Sequence, residues 1–169
     1  MEQDRLRFWK ELFQIKVQVI FVQGLWRRSE RIERYIKMFL AIASSASVGA
    51  WIIWKELAWL WAAVVAVSQV LTTIQPLLPY AERQKKFALV LRDFELLFMA
   101  SEFDWQSMSG GELSSKKINS LTEKLKRKKL EILHRHMPGD VFPTNVTLAN
   151  EAEVEANSYF AYHYAVDMT

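Results

Sequence analysis

Lys124, Lys126, Arg127, Lys128 and Lys129, with Arg135 one to two turns on, are the densest concentration of chemistry in this chain. Spaced this way on a helix they surround it rather than lining one face. Pairing with a neighbouring helix therefore cannot neutralise them all, and some must meet solvent, lipid phosphate or an anionic ligand. Three readings stay open: a solvated helix face partly paired to acids, attraction to anionic lipid headgroups, and a nucleotide or oligonucleotide ligand whose phosphates lysine and arginine would neutralise. From Glu112 to His136 there are eight Lys or Arg against three acids, whereas Pro138 to Thr169 holds five acids and no Lys or Arg. The two segments are expected to attract, partly through Glu151, Glu153 and Glu155. Reaction chemistry is scarce by comparison. His134 and His136 stand two residues apart, about 200° round a helix, and cannot share a metal; at a helix C-terminus they are expected to meet free carbonyls. His163 lies among Tyr159, Tyr162 and Tyr164 and reads as packing. There is no phosphate-cradling glycine loop, nucleophile elbow or paired-His motif. No catalytic residue and no metal site is expected, and no enzyme.

A second group of polar residues sits where polarity is costly. Met38 to Trp54 runs 17 residues without a charge and Leu57 to Ala81 runs 25, with Lys55 and Glu56 between them. Such lengths bracket the ~20 residues a helix needs to cross a bilayer core. Within the second stretch, Ser68, Thr72 and Gln75 recur at four- and three-residue spacing, with Gln69 and Thr73 beside them. Two readings are open: hydrogen bonding between helices, or an aqueous path lined by these five residues in an oligomer. One hairpin cannot enclose a pore, so conduction requires several copies around an axis. In the first stretch Ala41, Ser45 and Gly49 form a ridge of small residues that would allow close helix packing, with Ala62 and Ala66 opposite.

The elements that must carry these groups are all helical. A mean hydropathy of -0.03 conceals the two apolar stretches by averaging them with a charged remainder. Trp51, Trp54, Trp59 and Trp61 flank the Lys55–Glu56 corner as an interfacial aromatic belt would. A soluble helical core could hold these indoles but would not explain two adjacent uncharged windows. Lys and Arg accumulate before the first stretch (Arg27, Arg28, Arg31, Arg34, Lys37) and after the second (Arg83, Lys85, Lys86), which places both termini in the cytoplasm. The first 35 residues show no apolar run closed by a small-residue cleavage site, so no cleaved leader is expected. The absence of cysteine excludes disulfides and thiolate chemistry. Phe8, Leu12, Ile15, Val19, Val22 and Trp26 predict an amphipathic helix over 4–26, able to continue into the first span; it could lie on the membrane surface, and the mixed charge favours packing on the chain's own helices or a neighbour's. Further helices are predicted over 82–108, after Pro76 and Pro79; over 114–137, between Gly110-Gly111 and Pro138-Gly139; and over 145–166, capped by Thr144 or Asn145. The fold class is an all-α membrane protein: an N-terminal cytosolic amphipathic helix (1–35), a two-helix transmembrane hairpin (36–81) and a helical cytosolic domain (82–169).

This layout resembles the SLATT proteins, two-transmembrane effectors of bacterial nucleotide-signalling anti-phage systems. The resemblance rests on the Arg27–Lys37 flank, the Met38–Ala81 hairpin with almost no outer loop, and the helix over 82–108; the segment from Thr144 to Thr169 lies beyond it. It implies a pore-forming effector in the bacterial inner membrane, a homo-oligomer taken as a tetramer, controlled by a nucleotide that a partner nucleotidyltransferase makes. The bilayer and further copies of the chain are then its partners, genomic nucleic acid is not, and no resident cofactor is required. Two alternatives use the same residues: a non-conducting membrane anchor or adaptor, and a phage holin-like lysis protein.

Overall fold

The computed structural model describes residues 1–46, 58–74, 80–111, 113–139 and 145–164, giving the backbone alone at 44–46, 58, 61, 80 and 81. Among these residues the fold is all-helical: α1 (Glu2–Ala46), α2 (Ala58–Ile74), α3 (Tyr80–Ser109), α4 (Ser115–His136) and α5 (Val146–Tyr164). They divide into two units, one formed by 1–26 with 85–169 and the other by 27–84. The N-terminal part of α1 thus falls in one unit with the C-terminal helices.

In the first unit, α1 buries Phe8, Leu12, Ile15, Val19 and Val22 against Phe87, Val90, Phe94 and Phe98 of α3 and Ile118, Leu125 and Ile132 of α4. Spaced at three and four residues, these side chains form one stripe per helix, which is how helices in a common core exclude water. The α1 stripe is wider than its spacing alone predicts. Ile20 packs on Ala152 and Ala156 of α5, with Phe13 alongside, so a second face of α1 is also covered. At Gly24 a Cβ would lie 2.5 Å from Leu148 Cδ1, and this close approach explains a mid-helix glycine that costs about 1 kcal/mol relative to alanine.

Helix ends follow local chemistry. Gly111, with φ +80°, turns the chain between α3 and α4, and Gly139, with φ +75°, follows α4. Asn145 caps α5, its Oδ1 accepting from the Leu148 N–H at 3.0 Å. The Ser114 hydroxyl makes no cap at α4; the neighbouring Ser115 hydroxyl donates instead to Asp4 of α1 and tethers the helix start.

The second unit comprises the rest of α1, α2 and the first turns of α3. Along α1 the half-buried positions are Ser29, Glu30, Glu33, Ile36 and Leu40, leading to buried Ala43, and along α2 they are Val64, Ser68 and Leu71. Gln84 donates to Glu33 at 2.5 Å, and Glu33 also holds Lys37 at 2.6 Å. Elsewhere on α2, Trp59, Leu60, Val65, Val67, Val70 and Ile74 are exposed, and so are Gln69, Thr72 and Thr73. Among the described residues, no helix is long and apolar enough to cross a membrane; α2 within its described bounds has 17 residues, about 25 Å against the ~30 Å of a bilayer core. Trp51, Trp54, the Lys55–Glu56 corner, Pro76 and Pro79 lie outside the described residues, as does Thr144.

Candidate functional site

α4 carries the six cationic residues, but the structure does not leave them equivalent. Ile118, Thr122, Leu125 and Ile132 face the core, which turns Lys126 and Lys129 toward α1, where Glu11 holds them at 3.3 and 3.4 Å. Arg135 reaches Glu131 at 2.5 Å and Asp93 of α3 at 3.9 Å. Lys124, Arg127 and Lys128 are exposed and make no ion pair among the described residues. Of the six cationic residues, three are thus held by acids of the chain and three make no ion pair among the described residues. The expected attraction to the acidic segment is also corrected: α4 finds its acids on α1 and α3, and no ion pair joins it to Glu151, Glu153 or Glu155 among the described residues.

Where α4 ends, His136 meets a carboxylate of α3 in place of the expected carbonyl. His136 Nε2 lies 2.7 Å from Asp93 Oδ2, and the Met137 N–H takes the Leu133 carbonyl. The His136 hydrogen bond, followed by that from Arg92, holds the Asp93 carboxyl below its ordinary value despite burial. His163 packs between Tyr159 and Tyr162, its ring centroid 4.4 and 5.0 Å from theirs. Among the described residues, no three His, Asp or Glu side chains are grouped closely enough to hold a metal.

α2 carries the polar stripe, whose members are unequally exposed. Ser68 is half-buried beside Val64 and Leu71, whereas Gln69, Thr72 and Thr73 are exposed. The three hydroxyls bond within the helix: Ser68 donates to Val65 O at 2.8 Å, Thr72 to Ser68 O at 2.8 Å and Thr73 to Gln69 O at 2.9 Å. Such back-bonding leaves each hydroxyl oxygen as an acceptor toward whatever surrounds the helix. Gln75 lies outside the described residues. Of the expected packing ridge, Ala41, Ala62 and Ala66 are exposed, and the small residue buried on this part of α1 is Ala43. Ser45 is placed on α1 by its backbone, and Gly49 lies outside the described residues.

A third site was not legible in the spacing. α1, α3 and α5 enclose a groove of about 680 Å³ containing Lys16, Glu95, Glu102, Glu155, Tyr159 and His163. The Lys16 ammonium lies 3.6 Å from the Tyr159 ring centroid and 4.6 Å from that of Phe98. Burial pulls its pKa down, while Glu102, Glu155 and Glu95 oppose that shift. Glu102 accepts the hydroxyls of Tyr159 at 2.8 Å and Tyr164 at 3.0 Å. Burial, then the Glu102 hydrogen bond and charge, push the Tyr159 phenol up to about 12. The groove is lined by three acids and already holds the chain's own cation over its aromatic faces, so it ties three helices together. The sequence signal was Lys16, a cation one residue along from the buried stripe, with Glu95 and Glu102 two turns apart on α3. Comparison of the chain with family models, curated proteins and solved structures finds no match.

Proposed function

We propose that this chain is a membrane-embedded, homo-oligomeric effector: a two-span hairpin over 36–81 in the bacterial inner membrane, both termini cytoplasmic, carrying a helical domain that controls an ion-conducting path. The observation that carries this reading is the surface of α2. Trp59, Val67 and Val70 are 71%, 51% and 55% exposed on a helix without a charge, and the uncharged sequence extends beyond it on both sides, over 57–81. Exposed apolar bulk of this kind is unfavourable in water and suits lipid. Exposed Gln69, Thr72 and Thr73 supply the polar surface that a path between copies needs.

Control falls to Lys124, Arg127 and Lys128, whose free charges suit a phosphate-bearing ligand. The resemblance to SLATT effectors makes that ligand a nucleotide or oligonucleotide from a partner nucleotidyltransferase. A non-conducting anchor is the second reading, favoured by the hydroxyls of the stripe being bonded within their own helix.

Single-channel recording of the purified, reconstituted chain separates the two. Gln69→Leu with Thr73→Leu should lower conductance while leaving the oligomer's mass unchanged. A wild-type oligomer without conductance would return the chain to the anchor reading.

A further inference from the structure

We propose that Arg27, Arg28 and Arg31 form a collar on α1 that binds the phosphates of anionic phospholipids in the leaflet where the first span begins. The second unit carries Arg27, Arg28, Arg31, Arg34 and Lys37 along this stretch of α1, and its acids claim only the last two. Glu30 holds Arg34 at 2.9 Å, and Glu33 holds Lys37 at 2.6 Å while accepting from Gln84. Arg27, Arg28 and Arg31 are exposed and make no ion pair among the described residues. On α3, exposed Glu82 and Arg83 are adjacent and together add no net charge. The three free cations are all arginine, whose planar fork takes two oxygens of one phosphate at once.

Position on the helix separates these arginines from the acids. Arg27, Arg31, Tyr35, Met38 and Ile42 follow one another at four- and three-residue steps and so share a face, with Arg28 a neighbour of Arg31. Glu30 and Glu33 stand about 100° and 160° round the helix from Arg31. Along the shared face charge stops at Arg31, and Tyr35, Met38 and Ile42 follow, 63%, 53% and 64% exposed.

A bare cationic surface followed at once by a bare apolar one commits this face to one kind of occupant. A nucleotide would satisfy the arginines and leave Met38 and Ile42 in water, and an apolar helix of another protein would do the reverse. A phospholipid carries phosphate and hydrocarbon in one molecule, in that order. The spacing agrees, since Arg31 to Tyr35 advances about 6 Å along the helix and the headgroup layer on each side of a bilayer is about 5–8 Å thick. Tyr35 then stands at the border, where a ring with a hydroxyl tip is favoured. The inference rests on the hairpin reading above and goes beyond it by naming the lipid class that the flank selects.

The test is the lipid selectivity of the full chain in phosphatidylcholine vesicles, read by electron spin resonance as the share of chain-labelled lipid that the protein holds motionally restricted. Labelled phosphatidylglycerol should be retained about two- to fivefold better than labelled phosphatidylcholine, the upper figure being the weight of one arginine at an anionic surface, and added salt should shrink the difference. R27Q/R28Q/R31Q should abolish the preference while restraining phosphatidylcholine as wild type does. R27K/R28K/R31K keeps the charge and should keep most of the preference. K10Q/K116Q/K117Q removes three exposed charges from the first unit and should leave the preference intact. A wild type that restrains both labels equally, a preference that survives R27Q/R28Q/R31Q, or one lost equally in K10Q/K116Q/K117Q would overturn the collar and leave the hairpin standing. A chain that restrains neither label would remove both.

Discussion

α4 and α2 are both regular helices, and they treat their apolar residues in opposite ways. α4 hides Ile118, Leu125 and Ile132 and turns lysine and arginine outward. α2 turns Trp59, Val67 and Val70 outward, and even its half-buried stripe includes Ser68. Periodicity makes both of them helices; the medium each was shaped for is written on the outer face. Water around α4 rewards charge, and hydrocarbon around α2 would reward its absence.

The sharpest way to break this contrast is to remove apolar bulk from each region. Phe94→Ala empties a fully buried site in the first unit and should cost about 3–5 kcal/mol, seen as a large fall in melting temperature in detergent. Val67→Ala on α2 should cost far less, since 51% of that residue lies outside the protein. Equal losses would mean that α2 is packed as a core helix. A charge reverses the ranking. Val67→Asp should oppose membrane insertion by about 3 kcal/mol, reducing the inserted fraction in a translocation assay, whereas a charge added on the exposed face of α4 should leave insertion unchanged.

Smaller effects sharpen the description of the first unit. Asn145→Ala should remove the α5 cap and about 1 kcal/mol of stability, measured by denaturation. Asp93 contributes through pH. Its folded pKa is depressed below the ordinary 3.8, so its contribution is present above that value and is lost as pH falls through the lower, folded one. Asp93→Asn should flatten the stability profile below about pH 4, and an unchanged acid limb would show that the Asp93–His136 pair contributes nothing.

Much of the first unit was legible because its helices obey one rule each. The stripe from Phe8 to Val22 and the breaks at Gly110-Gly111 and Pro138-Gly139 place α1, α3 and α4 within a few residues of where they lie. Asn145 announces α5 in the same way. What the sequence concealed is which acid each base would meet. Net charge summed over a segment suggested α5 as the partner of α4, but ion pairs form at a few ångströms, and Glu11 and Asp93 are the acids that the packing delivers. The Lys16 groove was hidden for the same reason: Glu95, Glu102, Glu155 and Tyr159 converge only once three helices have packed. In α2 the polar spacing was visible, yet the division between half-buried Ser68 and exposed Gln69 and Thr73 depends on which face meets α2's own unit.

The central claim is that lipid surrounds the apolar face of α2, and the chain's lack of cysteine makes it directly measurable. Single cysteines placed at Val65, Val67, Val70 and Ile74 can be spin-labelled in the reconstituted protein and compared with one at Lys128. The α2 positions should collide readily with oxygen, which concentrates in hydrocarbon, and scarcely with a water-soluble nickel reagent, while Lys128 should show the reverse. Ready access of the nickel reagent to all four α2 positions would contradict the membrane hairpin.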